Sequence, residues 1–155
     1  MAKQQTPPNP PAGADGPRLA DFLCFAIYSA NLAYGRAYKP ILDELGLTYT
    51  QYIAVVALWE EDRQTVGRLG EKLFLESNTL TPILKKLEEM GYVRRQRDPA
   101  DERQVLVSLT EAGRSLREKA RSRTLVAASG LAPAEFSRLQ KNVVALRDNL
   151  IKASQ

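Results

Sequence analysis

Between Thr65 and Thr110 the chain changes its hydrophobic period once, and that change constrains the fold more than any other feature. A short amphipathic segment, TVGRLGEKLF, is followed by a polar break at Glu76–Thr79. A second helical segment, LTPILKKLEEMG, places Leu80, Ile83, Leu84 and Leu87 at i, i+3, i+4, i+7 spacing. After Gly91 the period becomes two. YVRRQR and RQVLVSL flank the turn-rich DPADE, the pattern of a two-stranded hairpin. Helix, turn, helix and basic hairpin predict a mainly α fold with a small β-hairpin wing, a winged helix-turn-helix over residues 48–109. In such a module one helix enters the major groove of DNA and the hairpin reaches the flanking backbone or minor groove.

Charge agrees through its placement more than its total. The net charge of +4 is mild, but Arg94, Arg95, Arg97 and Arg103 gather on the expected hairpin, with Lys85 and Lys86 on the helix before it. Taken alone such a cluster is a solvated surface. On this pattern it is a candidate DNA face.

Two counts narrow the chemistry. The chain has one cysteine, Cys24, and no histidine. An intramolecular disulfide, a His-dependent triad and the usual His/Cys zinc sites are therefore excluded. No Gly-rich phosphate loop and no paired-carboxylate constellation is visible, so no catalytic residue, metal or cofactor is expected, and the chain is not expected to be an enzyme.

The N-terminal MAKQQTPPNPPAGADGP lacks the apolar core of a secretory signal and is expected to be a disordered tail through residue 16. With no apolar run long enough to span a bilayer, no membrane partner is expected and the protein is expected to be cytoplasmic. Residues 17–155 then make one domain. Pro17 suits the first position of a long apolar helix, which Pro40 should bend or interrupt. Thr48 should cap a helix with Tyr52, Ile53, Val56 and Ala57 on one face, and Thr110 should cap another that runs to Gly130. In the last helix Phe136, Leu139, Val143, Leu146 and Leu150 form a seam of alternating three- and four-residue steps. Residues 17–47 and 110–155 are thus expected to build a homodimer, leaving the winged module free to face DNA; a core internal to one subunit is the alternative.

Base edges are reached by short polar side chains at the start of a recognition helix and by Lys or Arg beyond it. Here these are Ser77, Asn78, Thr79, Thr81, Lys85 and Lys86, with Arg94, Arg97, Asp101 and Arg103 on the wing. Ser77–Thr79 should also supply the helix cap, with Pro82 in the first turn. The sequence Asp101-Glu102-Arg103, followed after five residues by Leu109-Thr110, resembles the D-x-R…L-T signature of the MarR family of winged-helix repressors, and TLTPILKKLEEMGYVRR is similar to that family too. The resemblance implies an obligate dimer on a pseudo-palindromic double-stranded operator. It also implies that Arg103 sits in the minor groove and that Asp101 holds it there.

Cys24 has a bland reading, a small apolar residue on a buried helix face. Against it, LCFAIYSAN resembles the organic-hydroperoxide branch of the same family, in which a sensing cysteine occupies that place. LTYTQYIAVVALWE is close to the branch's second helix, and Tyr38 and Tyr49 match the tyrosines that hold its thiol. Within one unbroken helix Cys24 and Tyr38 would be about 21 Å apart along the axis. A shared site would therefore have to straddle two copies. Phe22, Phe25 and Ile27 are candidates for an apolar pocket around the thiol. A resolving cysteine, carried by some members in the fifth helix, is missing from Arg123–Gly130. The sulfenic acid would then react with a small-molecule thiol, cyclise with a backbone nitrogen or oxidise further. The resemblance implies a repressor released by organic hydroperoxide; a repressor released by an aromatic or phenolic ligand and a lone-thiol peroxidase remain alternatives.

Overall fold

Leu80, Leu84 and Leu87 are completely buried, and the elements of the reading module are arranged about them. The computed structural model describes residues 16–120 and 126–155, so the expected tail over residues 1–15 lies outside the described residues. The chain forms two units, one through Tyr34 and one from Gly35 to Gln155.

In the first unit the expected helix start at Pro17 is displaced. Leu19–Asp21 is a single 3-10 turn with Phe22 extended behind it, and helix α1 (Leu23–Leu45) begins only there. The Asp21 and Phe22 amides close on Arg18 and Leu19 within the short turn instead of continuing a longer helix. Pro40 does not interrupt α1, which continues to Leu45. The helix gives up the one bond that Pro40 cannot donate, while Ile41, Leu42 and Leu45 beyond it are buried.

In the second unit Thr48 caps helix α2 (Tyr49–Glu60) in a full capping box, its hydroxyl accepting from the Gln51 amide while the Gln51 side chain accepts from the Thr48 amide. The face of α2 that enters the core is Ala54, Val55, Ala57 and Leu58; Tyr52, Ile53 and Val56, expected there, are only half-buried. An α2 this uniformly apolar gives no clear periodicity, so its inward face is set by its neighbours.

A two-residue strand β1 (Gln64–Thr65) leads into helix α3 (Val66–Leu73), helix α4 (Ser77–Glu89) and strands β2 (Val93–Arg97) and β3 (Val105–Leu109). The expected hairpin is therefore a three-stranded antiparallel sheet in the order β1-β3-β2. Val93 pairs with Leu109, Arg95 with Val107 and Arg97 with Val105, while Gln64 also faces Val107 from the other edge. Gln64 is buried, and its amide donates to the Ala57 and Glu61 carbonyls at the end of α2. Between α3 and α4, Phe74 ends α3 in a left-handed conformation at φ 56° that costs a residue with a Cβ about 1–2 kcal/mol. The Arg147 guanidinium lies 4.3 Å from its ring centre.

Thr110 caps helix α5 (Glu111–Ala120) by accepting from the Gly113 amide. α5 does not run as expected to Gly130: residues 121–125 lie outside the described residues, and Ala127–Ser129 form a 3-10 turn before Gly130 at positive φ. Helix α6 (Pro133–Ala153) opens with Pro133, and Glu135 accepts from the Ala132 amide. Leu139, Val143 and Leu150 of its seam are exposed, and Phe136 and Leu146 are half-buried.

The corner from β3 into α5 is tied by one carboxylate. Asp62 accepts from the Leu109 and Arg63 amides and from the Arg114 guanidinium, each at 2.8 Å. Burial alone would raise this carboxyl; the Leu109 amide, Arg114 and the Arg63 amide outweigh it and hold the group below the usual carboxylate range. Its stabilising contribution is thus complete at neutral pH and fades as pH falls through the depressed value. Asp62→Ala is expected to cost about 1–3 kcal/mol at neutral pH, and less in acid, in urea unfolding with an unchanged slope. Gly113→Ala should be worse tolerated, because its new Cβ would stand 2.1 Å from the Tyr92 carbonyl oxygen, a backbone atom.

Candidate functional site

The buried leucine row of α4 turns the opposite face outward. Ser77, Asn78, Thr79, Thr81, Lys85 and Lys86 are all exposed: Asn78 and Lys85 opposite the leucines, Thr79, Thr81 and Lys86 on the flanks, and Ser77 because it starts the helix. Ser77–Thr79 do not cap the helix as expected. The cap position is Glu76, without a side-chain bond, so these residues are already helical. The helix start at Ser77 also moves Pro82 past the first turn. The Thr81 hydroxyl donates to the Ser77 carbonyl at 2.7 Å, and Lys86 lies 3.3 Å from Glu89. Lys85 forms no ion pair among the described residues.

The basic cluster on the hairpin separates into two kinds. Arg95 is half-buried and bound to Glu88 of α4, and the Arg97 Nη1 donates to the Glu102 carbonyl at 2.7 Å, bracing the wing loop from within. Arg94 and Arg103 project. At the tip, Asp101 accepts from the Arg103 amide at 3.1 Å, from its Nε at 3.0 Å and from its Nη2 at 3.2 Å, with Gln104 adding a bond at 3.1 Å. Arg103 holds the Asp101 carboxyl below its ordinary value, with Gln104 and the Arg103 amide adding to the effect. The Arg103 side chain is nevertheless 91% exposed. The charge is thus held in one direction by a carboxylate while it stays open to solvent.

In the first unit Cys24 is exposed, in an apolar depression of about 330 Å³ lined also by Leu19, Phe22, Phe25 and Tyr28. Of the expected pocket residues Phe22 and Phe25 are there; Ile27 is replaced by Tyr28, whose ring centre lies 6.3 Å from that of Phe25. A helix turns by about 100° per residue, so Tyr28 at i+4 shares the Cys24 face while Ile27 lies further round.

Tyr38 and Tyr49 come together in the second unit, with ring centres 5.3 Å apart. They continue into residues that sequence reasoning did not assign to the site. Tyr38 lies 6.2 Å from Tyr52, and Tyr52 6.2 Å from Trp59 in an edge-on contact. Burial, and then the neighbouring Tyr49, raise the Tyr52 hydroxyl above its usual range. The Trp59 Nε1 donates to the Gly113 carbonyl at 2.9 Å, ending the aromatic row at the corner that joins wing and α5. The spacing 49, 52, 59 on one helix was the available signal, masked by the aliphatic residues between.

A recognition helix and a wing with a pinned arginine define a winged-helix transcriptional regulator. Residues 36–120 match the family model described as transcriptional regulator SarA/Rot, and the chain belongs to that family. It is 45% identical over 141 residues to the HTH-type transcriptional regulator TtmR of Methylorubrum extorquens, covering 89% of this chain and 72% of that one. It is 48% identical over 106 residues to the organic hydroperoxide resistance transcriptional regulator of Bacillus subtilis, covering 68% and 72%. Reduced AbfR bound to DNA superposes with a TM-score of 0.76 at 34% identity, covering 88% of this chain and 95% of the other; AbfR, from Staphylococcus epidermidis, is also known in overoxidised, DNA-bound and disulfide forms. A MarR transcriptional regulator from Methanosarcina mazei shares the fold at 25% identity and a TM-score of 0.67, covering 82% and 95%, in line with the resemblance in the wing. No helix among the described residues is long and apolar enough to cross a membrane.

Trp59→Phe keeps the ring but removes the donor to Gly113. A loss of about 0.5–1.5 kcal/mol in unfolding free energy is expected, and an unchanged urea midpoint would show that this bond does not hold the corner.

Proposed function

We propose that this regulator is a homodimeric repressor that binds a pseudo-palindromic operator while Cys24 is reduced and releases it when an organic hydroperoxide oxidises that thiol. The observation that carries the reading is the setting of the chain's one cysteine: open to solvent, yet bordered by carbon-rich side chains that favour an organic peroxide over hydrogen peroxide. Similarity to the Bacillus hydroperoxide-resistance regulator and to AbfR, solved reduced on DNA and in a disulfide form, supports it.

In the proposed reaction the Cys24 thiolate attacks one peroxide oxygen. An S–O bond forms, the O–O bond breaks, and the alkoxide leaves with the electron pair and takes up a proton to become an alcohol. Sulfur is oxidised to sulfenic acid and the peroxide is reduced. With no second cysteine in the chain, a small-molecule thiol condenses with the sulfenic acid, giving a mixed disulfide and water. Tyr38 and Tyr49 of a second copy would donate to the thiolate and favour it over the thiol. The exposed apolar row Leu139, Val143 and Leu150 on α6 suits that second copy. Reversing a 99:1 equilibrium takes roughly 5.5 kcal/mol, which a bulky adduct in an aromatic depression supplies more readily than one oxygen atom. Peroxide with a small thiol should therefore release DNA more completely than peroxide alone.

On the DNA side, Arg103 enters the minor groove, Ser77, Asn78, Thr79 and Thr81 approach base edges, and Lys85, Lys86, Arg94 and Arg97 supply positive potential. A second reading has one observation in its favour: an open cleft of about 310 Å³ bordered by Tyr52, Val56 and Trp59, with Glu60 and Arg117 both on its lining, would suit an aromatic or phenolic ligand as the releasing signal.

Arg103→Ala should weaken specific DNA binding by about 1–3 kcal/mol with the oligomeric state unchanged in sedimentation. Unaltered affinity would remove Arg103 from the interface. Cys24→Ser should bind DNA and ignore peroxide with or without thiol. If it still releases DNA on peroxide addition, the redox reading fails, and many turnovers of peroxide per protein with thiol would make the chain a peroxidase.

A further inference from the structure

We infer that Glu88 is a positioning residue for DNA recognition, clamping the wing to the recognition helix through Arg95 so that both reach one DNA site together. The inference rests on the DNA-reading function proposed above and adds a residue that touches no DNA.

The clamp is made of two hydrogen bonds and an ion-pair contact between α4 and β2. Glu88 Oε1 accepts from the Arg95 amide at 2.9 Å and Oε2 accepts from its Nε at 3.0 Å, while the charged Nη2 lies 2.9 Å from the same Oε2. Both main chain and side chain of β2 are thereby tied to one carboxylate, its two oxygens dividing the work: Oε1 holds the strand backbone and Oε2 the charged guanidinium. The sheet register explains why Arg95 turns inward. It shares a face with Val93, and its cross-strand partner is the fully buried Val107. Arg94, one residue earlier, lies on the other face and is exposed.

Charge alone gives no reason for a carboxylate here. Glu88 is in the last turn of α4, where the helix dipole disfavours an anion, and it belongs to the helix expected to approach phosphates. The group is nonetheless ionised, held below the ordinary carboxylate range first by the Arg95 amide and then by its guanidinium. Glu88 also cancels the one hairpin arginine that is turned inward, so the pair adds no net attraction to DNA. Being partly exposed, it adds little to stability. What remains is geometry: the clamp sets where β2, and with it the tip carrying Arg103, stands relative to Ser77–Lys86.

This gives Glu88→Gln opposite effects on two kinds of DNA. The probes are duplexes enriched by the wild-type protein from a random-sequence pool, and a scrambled duplex of the same composition. Affinity for the enriched duplex should fall about tenfold, the scale of one lost specific contact. Affinity for the scrambled duplex should rise about two- to threefold, with a salt dependence steeper by about one, because Arg95 is released toward phosphate. The unfolding midpoint should stay near that of wild type. If both affinities rise, Glu88 is only a repelling surface charge; if both fall along with the unfolding midpoint, it is only structural; if neither moves, the clamp is idle. Each of these overturns the inference. Arg95→Lys, which keeps the charge but loses the two-nitrogen geometry, should show the same loss on the enriched duplex, and wild-type binding by this variant overturns the inference even where Glu88→Gln fails to fold. A wild-type protein that enriches no sequence takes down the DNA-reading function itself, a result distinct from either variant's.

Discussion

Burial of Leu80, Leu84 and Leu87 is the constraint on which the second unit depends. Three side chains with no exposed surface contribute roughly 1.5–3 kcal/mol each. Once this row faces the core, the rotation of α4 is settled. Asn78 and Lys85 then point outward, with Thr79, Thr81 and Lys86 on either flank, because the helix has no other face to give them. α2 and α3 close over the row with Ala54, Val55, Leu58 and Leu69, and the sheet closes it from the other side with Val93 and Val107.

On that apolar frame acidic residues decide what each cation can do. Glu88 takes Arg95 for the join between helix and wing, and Asp62 takes Arg114 for the corner between wing and α5. Asp101 treats Arg103 differently: it holds the amide and one edge of a guanidinium whose side chain is still almost wholly open to solvent. One chemical pairing thus gives two internal joints and one outward probe, according to how much of the guanidinium stays in water. The Trp59–Gly113 bond brings the aromatic row that begins at Tyr38 and Tyr49 to the same corner that Asp62 holds.

The sequence made the reading module legible because each of its signals is local. A leucine at every third or fourth position, a change of period after Gly91 and the DPADE turn need no knowledge of neighbours, and α3, α4, β2 and β3 follow them. The capping roles of Thr48 and Thr110 were legible for the same reason. The link Asp101 to Arg103 spans two residues, and the family resemblance pointed to it before the geometry did. β1 was not legible, since two residues carry no period; neither was the inward face of α2, whose aliphatic residues run all round the helix.

By itself, then, the amino-acid order determined the helices and hairpin of the reading module, though neither the start of α1 nor the third strand, and it determined that the chain has one thiol and no imidazole and where its positive charge is concentrated. Tertiary structure alone decided which cations are spent inside the protein and which are offered outside it. Arg94 and Arg95 are neighbours of one chemical type. Their different fates come from the pleat of β2 and from a carboxylate that α4 brings within 2.9 Å, a distance that exists only after helix and strand have packed. The same holds for Tyr38 and Tyr49, which belong to separate helices and become a ring pair only when α1 and α2 pack together.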